Sequence, residues 1–318
     1  MNAAGRLAAY GAGLVVAFGG AFAVSNAVVP ESTAQAWKEG SQVSDHSPHG
    51  SSSGGSAAGL AGLSLSQGGY VLSAVSAPAT AKTNGDLRFQ IDTASGAPLT
   101  KFATTHDKDL HLIVVRSDGS GFRHVHPTLD AATGTWSVPW QWQAAGTYRV
   151  FADFQPADVP DAPKLTLTRA VDIAGAFTPV DPGAVRTVDQ VGGFTVTLDG
   201  ALAAGSAQEL TATVTRDGNP VTSLQPYLGA FGHLVALRDG DLAYLHIHPE
   251  GAEPTPGQAG GPVIAFAAEA PTPGKYLLYL DFQVDGTVHT ATFVVNAESG
   301  DATPSADGSH EDGHAGGH

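Results

Sequence analysis

Two phrases, His124-Val125-His126-Pro127 and His246-Ile247-His248-Pro249, hold the clearest chemistry this sequence offers. In an extended strand alternate side chains share a face, so each phrase presents two imidazoles to one side. A third histidine stands upstream of each pair, His111 and His233. If the first hairpin turns on Asp118–Gly119, His111 falls across from His126 and diagonal to His124. A turn on Gly240–Asp241 puts His233 across from His248 in the same way. Both dipeptides suit the primed turns of two-residue hairpins, and any even-length loop keeps the three histidines on one face. Opposed residues have Cβ atoms roughly 4.5–5.5 Å apart. Three imidazoles so placed can converge on one ion at about 2.0–2.1 Å.

Asp153 and Asp281 occupy matching places on another strand, as a fourth ligand or as a carboxylate behind a ligating ring. The candidate metal set is therefore His111, His124, His126 and Asp153 in one half, and His233, His246, His248 and Asp281 in the other. His106 has no counterpart, because Leu228 stands in its place. The chain has no cysteine and a single Met at the start, which removes disulfides, thiolate sites and thioether ligands. Imidazole and carboxylate without sulfur suit copper(II) or zinc(II), with copper(II) favoured by intrinsic affinity and nickel(II) compatible. His46, His49, His310, His314 and His318 lie in Gly-rich or acidic segments and read as weak metal collectors or as plain solvated tails.

The elements that must position these groups are strands. Segments such as LHLIVVR, TYRVFADF, HLVALR and KYLLYLDF are bounded by Gly, Pro, Asn and Asp. The two halves are copies: residues 96–127 align with 218–249 without a gap, and GTYRVFADFQ at 146–155 aligns with GKYLLYLDFQ at 274–283. Seven short strands in each copy predict an all-β chain of two tandem immunoglobulin-like β-sandwiches, over 66–176 and 187–298. Tyr148 and Tyr276, each two residues after a strand-opening Gly, sit where a tyrosine corner forms. Trp136, Trp140 and Trp142 make a stripe that is either core packing or a binding platform.

Residues 7–30 run without a charge, long enough to span the roughly 30 Å of a bilayer core as a helix. With Arg6 on the short side, residues 1–30 read as an N-in membrane anchor, or else as a signal peptide cleaved after AFA or SNA. Either way the remainder is extracytoplasmic, tethered as a single-pass cell-membrane protein or secreted. Residues 31–65 have a flexible Ser/Gly linker composition, 177–186 form a second linker, and 299–318 are an acidic, His-rich tail. A net charge of −15 excludes a nucleic-acid partner and favours cations.

HLIVVRSDGSGFRHVHPT followed by GTYRVFADF resembles exported bacterial β-sandwich proteins, many of them actinobacterial, described as heavy-metal-binding or of unknown function. The resemblance covers most of the first copy and the second more loosely. It implies an extracytoplasmic metal-handling role, with the His-x-His-Pro strand as its marker.

The residues thus point to a membrane-tethered metal buffer or donor with one three-His site per sandwich. Its partners would be metal ions, the cytoplasmic membrane and a protein that accepts the metal. The alternative is a surface-display or adhesion module in which the histidines are structural. Catalysis is not expected. HIHPE resembles the opening of a cupin metal motif, but its remaining histidine lies upstream rather than downstream, and no nucleophile set or phosphate loop is present.

Overall fold

In the computed structural model residues 61–245, 247–255 and 257–299 are described, with the backbone but not the side chain of His248. The anchor, most of the first linker, the tail and His246 lie outside the described residues. Among the described residues no helix is long and apolar enough to cross a membrane.

The described elements are strands, arranged as two sandwiches within one compact unit. In the first, one sheet orders Ser66–Gln67, Tyr70–Leu72, Gly85–Thr93, Thr135–Trp140 and Thr128–Asp130. The facing sheet orders Leu165–Ile173, Gly146–Pro156, Leu110–Arg116 and Arg123–Val125. The second sandwich repeats this plan: Phe194–Gly200, Gln208–Arg216, Val263–Ala268 and Ile247–Pro249 face Thr287–Glu298, Gly274–Val284, Gly232–Arg238 and Tyr244–Leu245. In immunoglobulin lettering these are A-B-E-D against G-F-C-C′, twice. Each copy also carries the tyrosine corner: the Tyr148 hydroxyl donates to the Ala144 carbonyl at 3.0 Å and that of Tyr276 to Thr272 at 2.9 Å.

Alternation fills each core. Leu110, Leu112 and Val114 point into the first sandwich beside Val150, Ala152 and Phe154, while Leu234 and Ala236 point into the second beside Leu278, Leu280 and Phe282. The tryptophan stripe belongs to this core, with Trp136, Trp140 and Trp142 each buried, so it is not a binding platform.

The opposite faces of the same strands are also apolar. Ile113, Val115 and Phe151 meet Val235, Leu237, Leu242, Tyr244, Leu277, Tyr279 and Val294 in a third buried cluster between the sandwiches. Phe122 stacks on Tyr279 with ring centres 4.0 Å apart, and Tyr244 lies against Phe151 at the equivalent place. Burying a Val, Leu or Ile side chain is worth about 1.5–3 kcal/mol, so this cluster fixes the sandwiches against each other. The described end of the first linker and the second linker are hydrogen-bonded to the sandwiches. The Tyr244 amide donates to Ala61, the Val180 amide to Asp118, and the Arg186 amide to Val294.

Candidate metal centre

The hairpin that carries the first triad has the expected register, with Leu112 opposite Val125, Ile113 opposite His124 and Val114 opposite Arg123. The turn differs from the two-residue form. The Gly119 amide donates to the Arg116 carbonyl, and the Arg116 amide then donates to Ser120, with Gly119 and Gly121 at φ 79° and 66°. Below the turn the register is unchanged, so the face is kept. In the second copy Ala236 pairs with Leu245 and Leu237 with Tyr244, again the expected register. There the loop is four residues long, closed by the Arg238 amide donating to Ala243. Beyond Leu245 the second strand departs from expectation. Ile247–Pro249 crosses to the other sheet, where His248 registers with Ala267 rather than continuing opposite His233.

His111, His124 and His126 come together with ligand nitrogens all within 4.8 Å of one another. His111 Nδ1 lies 3.0 Å from His124 Nε2 and 3.2 Å from His126 Nε2. Partner chemistry fixes two of the tautomers. His111 Nε2 lies 3.1 Å from the Thr105 carbonyl, which can only accept, so Nε2 carries the hydrogen and Nδ1 the lone pair. His124 Nδ1 lies 3.0 Å from Asp281 Oδ2, so Nδ1 carries the hydrogen and Nε2 the lone pair. With neutral rings, two lone pairs then face each other at 3.0 Å. Nitrogens each about 2.0–2.1 Å from one tetrahedral ion are about 3.3–3.4 Å apart, close to this spacing.

Burial keeps His111, His126 and His233 neutral. Burial first, then the adjoining His124, push the His111 pKa down to about 2. The same causes push His126 to about 3 and His233 to about 4. A neutral imidazole is the form that binds a metal.

The cluster is shared between the copies. His111 registers with Asp153 and His233 with Asp281 across neighbouring strands. Yet Asp281 supports His124 of the other sandwich, while its second oxygen accepts from the Thr290 hydroxyl at 2.6 Å. Asp153 instead accepts from Lys164 at 2.9 Å and from Thr166 at 3.0 Å. The His233 ring centre lies 6.2 Å from that of His124 and 6.5 Å from that of His111. His233 repeats the His111 arrangement, its Nε2 donating to the Tyr227 carbonyl at 2.8 Å. His246 and the His248 side chain lie outside the described residues, so the second triad is not seen as a set.

One neighbour, Tyr227, was not identified from sequence, and another, His106, was read as optional. Tyr227, equivalent in position to Thr105, places its ring 6.3 Å from His126 and 5.9 Å from His233, and burial followed by the charge of Asp281 raises its pKa. His106, left aside for want of a counterpart, stands with its ring centre 5.5 Å from His233. The signal for this joining was the unbroken apolar run LIVV at 112–115, which makes the outer face apolar at Ile113 and Val115 as well.

Comparison with known proteins gives a family. Residues 66–170 and 187–299 each match the family described as Domain of unknown function (DUF8832). The chain belongs to the DUF8832 family. It carries the DUF8832 domain twice, in agreement with the duplication read from its own repeats. No curated protein matches the sequence. Among solved structures, the D0-D1 domain of intimin is 14% identical and overlaps 69% of this chain and 92% of its own, with a TM-score of 0.21. Invasin, a bacterial integrin-binding protein, is 13% identical over 73% of this chain and 39% of its own, with a TM-score of 0.21. A Salmonella alpha-2-macroglobulin is 14% identical over 76% of this chain and 15% of its own, with a TM-score of 0.25. Overlap at this level carries no argument about function.

Proposed function

We propose that this DUF8832 protein is an extracytoplasmic divalent-metal-binding protein that buffers, delivers or detoxifies copper(II) or zinc(II), held at the membrane by residues 1–30. The observation that carries the reading is the His111–His124 pair: two ring nitrogens opposed at 3.0 Å, with both outer nitrogens committed as donors, so that in the neutral rings two lone pairs face each other. A cation between them removes the repulsion, and His126 supplies a third nitrogen. Thr105 and Asp281 are the partners that orient the ligating rings, the arrangement by which metal-bound histidines are ordinarily held. The uncharged N-terminal run and the net charge of −15 support export and attraction of cations.

A second reading draws on the same pair. A proton on His124 Nε2 gives an imidazolium that donates to both Asp281 and His111, a complete network without metal. The protein would then be a surface-display or adhesion module with structural histidines. Titration calorimetry of the full-length chain with Cu(II) and Zn(II) separates the two. The test uses a background in which His46, His49, His310, His314 and His318 are alanine. Sub-micromolar binding lost in His126→Ala supports the metal reading. Weak binding indifferent to His126→Ala leaves the structural one.

A further inference from the structure

We propose that the interface holds a second, adjacent metal position built across the two copies by His233 and His106, so that the centre takes a pair of divalent ions. The inference rests on the metal reading of the His111 triad and deepens it.

Three observations carry it. First, His233 is prepared as His111 is: its Nε2 donates to the carbonyl six residues upstream, Tyr227 in place of Thr105, which leaves Nδ1 with the lone pair. Second, His106 reaches across the interface, its ring centre 5.5 Å from His233 and 6.1 Å from His111. It does so from a two-residue turn in which His106 and Asp107 have φ of 50° and 60°, closed by Thr105 and Lys108 donating to each other's carbonyls. The second copy makes the same turn with Leu228 and Gly229 at φ 55° and 75°. The ligand is thus contributed by one copy only, and toward the other copy's histidine. Third, a cavity of ≈ 30 Å³ lies between these rings, lined by His106, His111, His124, His233, Asp153 and Lys164 with apolar walls around them. That is room for about one water-sized occupant.

Asp153 is not counted as a ligand, because Lys164 and Thr166 already hold its two oxygens. With two imidazoles against the triad's three, this is the weaker position, filled after the triad. The ring separations of 6.2 and 6.5 Å from His233 to His124 and His111 place two ions close enough for their unpaired electrons to couple.

The test is Cu(II) titration of the full-length chain, in the background lacking the five outlying histidines, followed by equilibrium dialysis and electron paramagnetic resonance. The expected result is two equivalents, the second bringing a half-field transition from coupled spins. His106→Leu, which copies the residue found at 228, and His233→Ala each lose the second equivalent and the half-field signal while keeping the first. His126→Ala loses the first. A single equivalent in the parent protein overturns the inference, as does a half-field signal that survives both His106→Leu and His233→Ala. A single equivalent weakened by His233→Ala also overturns it, since His233 is then a fourth ligand to one ion. Absence of any tight equivalent removes the metal reading itself, which keeps the two failures apart.

Discussion

His124 Nδ1 lies 3.0 Å from the Asp281 carboxylate, a residue 157 positions further along the chain and on the other sandwich. The bond fixes the tautomer that turns the His124 Nε2 lone pair toward His111, so the first triad depends on the second copy for its orientation. Removing the negative charge while keeping the shape tests this directly. Asp281→Asn is expected to lower affinity at the triad by about 10–100-fold, the usual effect of losing a carboxylate behind a metal-bound histidine. Asp153→Asn, whose carboxylate binds Lys164 and Thr166 instead, should leave that affinity within a few-fold. Calorimetry on the two variants side by side decides the matter, and equal losses would show that position within the repeat matters rather than the contact.

The buried imidazoles make the metal-free protein acid-sensitive. His111 and His233 have folded-state pKa values of about 2 and about 4, below the 6.5 of an exposed ring. The unfolded chain therefore takes up these protons first, and stability is full above about pH 6.5 and declines as the pH falls toward 4. Each ring contributes a slope of up to about 1.4 kcal/mol per pH unit in that window. Urea midpoints of the metal-free protein should drop between pH 7 and 5, and His233→Asn should make the drop shallower. A midpoint unchanged across that range would mean that the rings take up protons in the folded state as readily as in the unfolded chain.

The two sandwiches should unfold as one cooperative unit rather than in sequence. Leu237 is fully buried between them, among Ile113, Val115 and Phe151 of the other copy. Leu237→Ala is expected to lower stability by about 2–5 kcal/mol, the range for a large-to-small change in a core. Calorimetric scanning of the parent chain should give one transition. Two separated transitions, with Leu237→Ala shifting neither, would show that the third cluster adds nothing to stability.

Much of each sandwich is legible in the sequence, because the information is local. Leu112 opposite Val125 follows from period-two alternation and an even loop, and the corners at Tyr148 and Tyr276 follow from a Gly two residues before. The joining of the copies is not legible in that way. Ile113, Val115, Val235 and Leu237 announce a buried outer face through unbroken apolar runs, yet nothing in the runs names the surface that covers it. The contacts of His106 with His233 and of His124 with Asp281 arise only once that face is covered. The crossing of Ile247–Pro249 to the other sheet was likewise hidden, since its strand pattern fits either neighbour.

Asp118 ties the first sandwich to the segment between the copies, and its loss should free that segment. Its carboxylate lies 2.8 Å from the Arg116 guanidinium and accepts from the amides of Ser120 at 3.1 Å and Val180 at 2.8 Å. Burial alone would raise its pKa, but the Arg116 guanidinium and these amides outweigh it and hold the carboxyl down to about 2. A carboxyl depressed in this way stabilises the fold above the unfolded pKa near 3.9 and stops doing so as pH falls through 2. Asp118→Ala leaves the buried Arg116 without its counter-ion, a change that typically costs roughly 3–5 kcal/mol. It also removes the acceptor that anchors Val180. Limited proteolysis at neutral pH should then cut between residues 177 and 186 in Asp118→Ala while the parent chain resists. Equal resistance in both would mean that the Arg186–Val294 backbone pairing alone secures the segment.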